Sequence, residues 1–260
     1  MSEEPAARME ASGPVALITL DRPQARNALG GAVASALHGA LMDAAADDDI
    51  RVVVLTGAGG AFSAGADLKE GLPEFHRVED MINSRYRPSL ELITGMEKPV
   101  IAAVAGAAAG IGLSFALACD LVVMADNAFL LAPFSTIGLL PDGGATWFLA
   151  RRLGYHRAYQ LCIEAERIPA ELCLRTGLAN RVVAEGDLLD ETLAWAADIA
   201  QRAPLALAAT KLAMRQAMHL SLGETIALEA RMQNRCAGSE DCREGVAAFL
   251  GKRKPEFKGR

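Results

Sequence analysis

The chain has 260 residues, of which 52% are hydrophobic, enough for one large α/β domain or two smaller ones with a substantial core. Its formal net charge of −6 argues against a nucleic-acid-binding protein in general. The N-terminal stretch is polar and acidic, unlike a signal peptide, and no apolar run reaches the roughly 18 residues of a membrane span, so we expect a soluble, cytoplasmic protein.

In the first half of the chain, short β-branched runs alternate with helical patterns, which predicts parallel strands joined by crossover helices. From about residue 143 the pattern is almost wholly helical, apart from a short strand near 180–183. We therefore predict a core over 1–200 and a helical region over 201–260 that packs on the core and on a neighbouring subunit. The expected strands are 15–20, 51–56, 100–104, 120–124 and 128–132, and the expected helices include 31–46, 74–95, 113–119, 205–220 and 223–236.

The cysteines and histidines predict neither disulfides nor a metal site. The cysteines are odd in number, form no CxxC pair and lie mostly in apolar helical patterns, so we expect buried thiols. The histidines are far apart and lack HExxH spacing. These residues are Cys119, Cys162, Cys173, Cys236 and Cys242, and His38, His76, His156 and His219.

Two glycine-rich loops follow apolar strands, LTGAGGAFSAGADL and GAAAGIGLSF. A dinucleotide fingerprint would need a glycine or alanine where Phe62 and Phe115 stand, and neither loop contains GK[ST]. Phosphate binding by these loops is therefore not expected.

Glycines can instead free one backbone N–H to point into a cleft, with a helix N-terminus behind it. Gly65 precedes Ala66, and Gly110 and Gly112 flank Ile111. Two such amides aimed at one carbonyl oxygen would form an oxyanion hole, in which each donor is worth about 3 to 4 kcal/mol in the transition state. The alternative is that these glycines serve only tight turns and close strand packing.

Asp142 is a lone carboxylate within the apolar stretch IGLLPDGGATWFLARRLG. One explanation is that it is the N-cap of a helix over ATWFLARRL. The other is that it is a base in a dry pocket beside Leu139, Leu140 and Trp147, where loss of hydration would raise its pKa. These residues alone leave both explanations open.

Several motifs, in order along nearly the whole chain, resemble the enoyl-CoA hydratase/isomerase, or crotonase, superfamily. They are DRPQARNAL, VLTGAGGAFSAGADLKE, KPVIAAVAGAAAGIGLSFALACDLVVMADNAFL, IGLLPDGG, PLALAATKLAMR and AAFLGKRKPEFK. The resemblance implies an α/β spiral of ββα units with a helical C-terminal region that forms homotrimers, often paired as hexamers. It also implies that the amides of Ala66 and Ile111 bind the oxygen of a CoA thioester and stabilise its enolate.

The pattern departs from that of enoyl-CoA hydratases at the two glutamates that those enzymes use. Ser114 and Phe134 stand at these places, and neither side chain activates water well near neutral pH. Asp142 remains, in a turn that resembles the branch that isomerises enoyl-CoA double bonds, including ring-epoxide isomerases. We therefore predict an enoyl-CoA isomerase with Asp142 as proton shuttle. The alternatives are a hydratase, another crotonase activity or a catalytically silent CoA-binding subunit.

The resemblance also predicts an acyl-CoA ligand, with coenzyme A as part of the substrate and no permanently bound cofactor. The basic tail GKRKPEFKGR suits CoA phosphates better than nucleic acid. Phe249 and Lys252 are expected to approach CoA from a neighbouring subunit. The predicted substrate- and CoA-binding residues are Arg22, Ala64, Gly65, Asp67, Leu68, Gly110, Ser114, Phe134, Leu140, Phe249 and Lys252.

The segment 70–87 and the helix after it contain several acids. In relatives this segment shapes the acyl pocket, so one of these acids could assist Asp142. The alternative is a solvated helix face. The candidates are Glu74, Glu79, Asp80 and Glu91.

Overall fold

The structure is a computed structural model that describes residues 6–71 and 77–260. Its main sheet has six strands. The first two pair antiparallel and every later neighbour is parallel. In spatial order they are β1 (Ala7–Ser12), β2 (Val15–Leu20), β3 (Val52–Gly57), β4 (Val100–Val104), β6 (Leu121–Ala125) and β9 (Arg181–Val183). All of β4 and nearly all of β3 is buried, as expected for inner parallel strands covered on both faces.

A smaller sheet contains β5 (Ala107–Ala109), β7 (Phe129–Leu131) and β8 (Ile168–Pro169). β5 is parallel to β7, and β7 is antiparallel to β8. The chain passes from β4 to β5 and from β6 to β7, so consecutive strands enter different sheets before a helix follows. This alternation confirms the predicted spiral of ββα units.

Helices cover the sheets and form the C-terminal part of the chain. They are α1 (Gly31–Ala46), α2 (Val78–Met81), α3 (Arg87–Gly95), α4 (Ile111–Ala118), α5 (Ala145–Leu153), α6 (Tyr155–Glu164), α7 (Ala170–Thr176), α8 (Leu188–Ala200), α9 (Pro204–Ala217), α10 (Leu222–Ala237) and α11 (Glu240–Leu250). No helix in the described ranges is long and apolar enough to cross a membrane. The proposed division at residue 200 stays a prediction.

Three elements differ from the sequence prediction. β1 was not predicted because its sequence, ARMEAS, belongs to a largely exposed strand at the edge of the sheet. β5 was missed because its three alanines lack the β-branched side chains that indicate a strand. The helix expected over 74–95 is divided by a π-helical turn at Ile82–Tyr86, and its first residues lie outside the described ranges.

The predicted burial of cysteines is confirmed for Cys119, Cys162 and Cys173, and all five thiols are free. Burial raises the pKa of Cys119 and of Cys173 to about 12, so these thiols stay protonated at neutral pH. Across residues 6–71 and 77–260, no three metal-ligating side chains come together.

Candidate active site

The loop after β3 is shaped by Gly65, whose φ of +96° is a conformation that side chains rarely adopt. Its carbonyl accepts a hydrogen bond from the Leu29 N–H at 2.7 Å. A Cβ at Gly65 would lie 2.8 Å from the carbonyl oxygen of Ala109, which is too close. Gly65 therefore lets the loop carrying Ala66 lie directly against the backbone that leads into α4.

Gly110 brings the start of α4 to the same place. It is the N-cap of the helix at a φ of +54°, and Ile111 is the first helical residue. A Cβ built on Gly110 would lie 3.6 Å from the Gly65 Cα, so the two glycines are adjacent. Within the described ranges, the N–H groups of Ala66 and Ile111 donate no hydrogen bond. Both amides are thus available to an acceptor that the protein does not supply.

The turn that contains Asp142 packs on this same helix start. A Cβ on Gly143 would collide with the Ile111 Cδ1 and lie 3.0 Å from the Ser114 Cβ. The Ser114 hydroxyl donates to the carbonyl oxygen of Asp142 at 2.8 Å. One helix therefore supplies the Ile111 amide and fixes the position of the Asp142 backbone.

The Asp142 side chain is half-buried, and its Oδ1 is a buried atom with no hydrogen-bond partner among the residues described. Burial raises the pKa of this carboxyl to about 6, and only a hydrogen bond from its own backbone opposes the shift. The N-cap of α5 is Gly144, and no side chain caps this helix. The explanation of Asp142 as an N-cap is therefore wrong.

Tyr86 is hydrogen-bonded to the segment that holds the Ala66 loop, and it also interacts with the charge of Asp142. This side chain is buried, and its hydroxyl donates to the carbonyl oxygen of Leu29 at 2.8 Å. Burial raises the pKa of Tyr86, and the charge of Asp142 contributes to that shift, which means that the two groups interact electrostatically. Since the Leu29 N–H also bonds to the Gly65 carbonyl oxygen, the Tyr86 hydroxyl is held by the segment that holds the glycine loop. No sequence motif pointed to Tyr86.

Asn27 and Ser63 form a support under the loop that the sequence analysis also missed. The Asn27 amide donates to the carbonyl oxygens of Ala58 and Ala61 at 2.9 and 2.7 Å. The Ser63 hydroxyl donates to the Asn27 carbonyl oxygen at 2.8 Å and accepts from the Gly65 N–H at 3.1 Å. Asn27 belongs to the motif DRPQARNAL, so the sequence did carry a signal for it. Of that motif, however, Arg22 was the residue predicted to bind the substrate.

We expect Asn27→Ala to lower the free energy of unfolding by about 2–4 kcal/mol, because one buried and one partly buried carbonyl would lose their donor and alanine would be held at a φ of +55°. Chemical denaturation measures this change. Asn27→Gly loses the same hydrogen bonds, but glycine tolerates the positive φ at this position. Its loss of stability should therefore be smaller than that of Asn27→Ala by about 1 kcal/mol. An Asn27→Ala variant as stable as the wild type would show that this network does not hold the loop.

Arg22 and Asp67, predicted near CoA, pair with each other at 2.5 Å. Burial works to raise the pKa of Asp67, but hydrogen bonds from Arg22 and from the Lys69 N–H outweigh it, and the pKa lies below its ordinary value. Ala64 and Leu68 are exposed on the same loop. Contact of these residues with CoA remains a prediction.

Ser114 and Phe134 are both buried, and their contact with a substrate stays a prediction. The tip of the Phe134 ring lies 3.9 Å from a Cβ built on Gly110, beside the start of α4. Leu139 and Leu140 were expected to desolvate Asp142, and that is wrong. They are 48% and 77% exposed, and they line a separate pocket of about 360 Å³.

Phe249 and Lys252 lie at the C-terminal end of the chain, where Phe249 is 83% exposed. The Lys252 N–H donates to the Phe249 carbonyl oxygen at 3.2 Å. Their expected approach to CoA from a neighbouring subunit stays a prediction.

The candidate second acids differ in their surroundings. Glu79 pairs with Arg77, and Asp80 is exposed. Glu91 pairs with Arg87 at 2.6 Å. Glu74 lies outside the described residues.

A cavity of about 590 Å³ opens beside the Asp142 turn. Apolar side chains of α3, α5 and the π-helical turn form much of its wall. Trp147, which the sequence predicted for the surroundings of this turn, is among them. The lining residues are Ile82, Arg87, Leu90, Glu91, Thr94, Gly143, Gly144, Trp147, Phe148, Arg215 and His219.

Comparison with known proteins agrees with this arrangement. A family model described as Enoyl-CoA hydratase/isomerase matches residues 10–260. A probable enoyl-CoA hydratase of Rhodobacter capsulatus is 43% identical over 97% of this chain and 98% of its own length. The 2,3-dehydroadipyl-CoA hydratase of Escherichia coli is 40% identical, covering 95% and 96%.

Solved structures show the same similarity. The crystal structure of an enoyl-CoA hydratase from Polaromonas sp. JS666 matches with a TM-score of 0.93 at 40% identity, over 97% of this chain and 99% of that one. A similar enoyl-CoA hydratase structure from Bacillus anthracis gives 0.93 at 32% identity, over 98% and 100%. The fold, the glycine loops and the family match agree over nearly the whole sequence, and the chain belongs to the enoyl-CoA hydratase/isomerase family.

Proposed function

We propose that the protein is an enoyl-CoA isomerase that moves a double bond from C3 to C2 of an acyl-CoA thioester. The observation that carries the proposal is the Asp142 Oδ1, a buried carboxylate oxygen with no partner in the described chain. It belongs to a turn packed on the helix start that presents the Ile111 amide. A carboxylate with an elevated pKa is a stronger base than one exposed to water.

The reaction needs only one proton-transfer group. The ionised Asp142 removes a proton from C2, and the electron pair moves toward the thioester oxygen to give a dienolate. The Ala66 and Ile111 amides would donate to that oxygen and stabilise its charge. The protonated Asp142 then returns its proton to C4, while the C3–C4 double bond moves to C2–C3. The reaction consumes no water and needs no cofactor beyond the CoA that the substrate carries.

Hydration is the second candidate, and the names of the relatives favour it. The R. capsulatus protein is named a probable enoyl-CoA hydratase, and the E. coli protein is a hydratase of 2,3-dehydroadipyl-CoA. The residues of this chain support isomerisation instead. Phe134 has no ionisable group, and the buried Ser114 hydroxyl already donates a hydrogen bond to the Asp142 carbonyl oxygen. Neither is suited to activate a water molecule.

The discriminating experiment offers the purified protein a 3-enoyl-CoA and the 2-enoyl-CoA of the same length. We expect kcat/KM for isomerisation to exceed that for hydration by about 10²-fold or more, because activation of water lacks its acid–base pair. In D2O most of the product should keep the substrate's own hydrogen at C4, because the carboxyl that receives the C2 proton returns the same proton. Faster hydration than isomerisation would favour the second candidate. CoA binding without turnover of either ester would indicate a catalytically silent subunit.

The pH dependence provides an independent test. We expect kcat/KM for isomerisation to rise tenfold per pH unit at low pH and to level off above pH 6, since the base must be ionised and its pKa is about 6 instead of 3.8. Steady-state rates from about pH 4.5 to about 8 measure the profile. A rate that stays constant down to about pH 5 would show that the essential base is not a carboxyl in this environment.

We also propose self-association as a homotrimer or hexamer. The C-terminal helices expose large apolar side chains to an extent that favours burial against another subunit. Among them are Met214, Leu222, Ile226, Phe249 and Leu250.

A further inference from the structure

Arg215 and Asp142 share an unusual property. In the ranges 6–71 and 77–260, only two buried side-chain polar atoms lack a hydrogen-bond partner, the Asp142 Oδ1 and the Arg215 Nε. Arg215 lies on α9 and lines the cavity of about 590 Å³ that also touches Gly143 and Gly144. The Nε itself has almost no accessible surface, so the part of Arg215 that lines the cavity is the rest of its side chain, which is 24% exposed.

The charges around Arg215 point to an anion. Its Nη2 donates to the Asp120 Oδ1 at 2.7 Å and to the Ala118 carbonyl oxygen at 2.8 Å. The same carboxylate binds the Lys211 Nζ at 2.7 Å, so two cations share one negative charge. Burial, followed by the charge of Arg215, lowers the pKa of nearby Arg152. This part of the protein therefore carries an excess of positive charge, buried at Lys211 and partly exposed at Arg215, which an anionic group would offset.

The other polar groups of the cavity do not provide that anion. Glu91 is held by Arg87 at 2.6 Å, and both side chains are more than 60% exposed, so water screens them. The His219 Nδ1 lies 3.4 Å from the Arg151 Nη2, which can only donate. A neutral His219 therefore carries its proton on Nε2 and adds another donor to the wall.

The remaining wall suits a hydrocarbon chain. Leu90, Trp147, Phe148 and Ile82 supply apolar surface along the cavity, and its volume lies within the range of roughly 300 to 1,000 Å³ that is typical of small-molecule sites. The cavity wall thus combines the residues after Asp142, apolar side chains and a positively charged group.

We propose that Arg215 makes this cavity a subsite for a terminal carboxylate, so that the preferred substrates are enoyl-CoA thioesters of short dicarboxylic acids. The inference rests on the proposed function in taking the reacting carbons to lie at Asp142. The Arg215 guanidinium pairs with the carboxylate at the far end of the acyl group, and the apolar wall contacts the methylenes between. Arg215 is then a specificity-determining residue that does not touch the reacting atoms.

The test measures binding of two saturated thioesters, hexanoyl-CoA and hexanedioyl-CoA, which differ only in a terminal methyl or carboxylate. Isothermal titration calorimetry gives the ratio of their dissociation constants without any turnover. We expect the wild type to prefer hexanedioyl-CoA by about 10- to 100-fold, as for a hydrogen bond between charged groups. In Arg215→Met the ratio should fall to near unity. Arg215→Lys keeps a charge for Asp120 but lacks the planar guanidinium with its several donors, so it should lose most of the preference.

The controls separate this subsite from a general effect of charge and from the proposed reaction. Arg235→Met also removes one positive charge, but from an exposed pair with Glu97 that does not line the cavity, and it should keep the wild-type ratio. Equal binding of both thioesters by the wild type, or an unchanged ratio in Arg215→Met, would overturn the proposal. Because neither ligand has a double bond, a failure of isomerisation would leave this result interpretable on its own.

Discussion

Asp142→Asn is expected to reduce kcat/KM for isomerisation by about 10³- to 10⁴-fold, near the upper limit for loss of one acid–base group. Asparagine nearly matches the shape of aspartate but cannot accept a proton from C2 or return one to C4. The backbone contacts of the turn, from the Ser114 hydroxyl and the Ala145 N–H to the Asp142 carbonyl oxygen, do not involve the side chain. The rate of conversion of a 3-enoyl-CoA to its 2-enoyl isomer measures the loss.

The same substitution should increase the stability of the folded protein at neutral pH. A variant that is more stable than the wild type has not lost its activity through unfolding. Burial raises the Asp142 pKa from 3.8 to about 6, so ionisation destabilises the folded state. The contribution of the carboxyl to stability is fully present below pH 3.8 and is lost as the pH rises to about 6. Because the group is only partly buried, we expect Asp142→Asn to be more stable than the wild type by about 1–2 kcal/mol above that window and by much less near pH 4.

Asp126→Asn is the matched control for this variant. Asp126 is an exposed carboxylate in the turn between β6 and β7, and the same change of charge there should leave both the rate and the stability near wild type. Isomerisation retained by Asp142→Asn would show that another group transfers the proton. The acids of the 70–97 segment would then be the first candidates, and among those that the structure describes Glu91 lines the cavity.

The parts of the fold that depend on local pattern could be predicted from the sequence. The helix expected over 31–46 has those bounds, and VIAAV forms β4. Gly65 and Gly110 also have the special backbone conformations that the glycine loops predicted. Both have a positive φ, which glycine adopts readily and which allows close backbone contact. Periodicity and glycine position are local properties of the sequence, so they can be interpreted without knowing which distant segments pack together.

The parts that depend on contacts between distant segments could not be predicted. Leu139 and Leu140 adjoin Asp142 in sequence but face a different pocket, whereas Tyr86, 56 positions away, interacts with its charge. Likewise, nothing in the motif PLALAATKLAMR indicates that Arg215 has a buried Nε without an acceptor. Desolvation and hydrogen-bond satisfaction are properties of the packed chain, so they appear only once the segments are brought together.

Gly65→Ala is expected to reduce kcat by about 10²- to 10³-fold, comparable to the loss of one oxyanion donor. The substitution would force a side chain into a φ of +96° and a Cβ to within 2.8 Å of the Ala109 carbonyl oxygen. The loop must then shift, and the Ala66 amide moves away from the Ile111 amide. Since Asp142 lies on a separate turn, the pH at which the rate levels off should stay near 6. Steady-state kinetics across the pH range measure both quantities.

Gly39→Ala is the control for a methyl group added to a glycine. Gly39 is exposed within α1, and a Cβ there would meet no atom within 4 Å, so this variant should keep wild-type kinetics and gain about 0.5–1 kcal/mol of stability. Wild-type kcat in Gly65→Ala would mean that the position of the Ala66 amide is not needed. The charge on the thioester oxygen would then have to be stabilised by Ile111 alone or by groups outside these two loops. A low kcat with an unchanged pH dependence would instead separate the two roles, with Asp142 transferring the proton and the glycine loops stabilising the enolate.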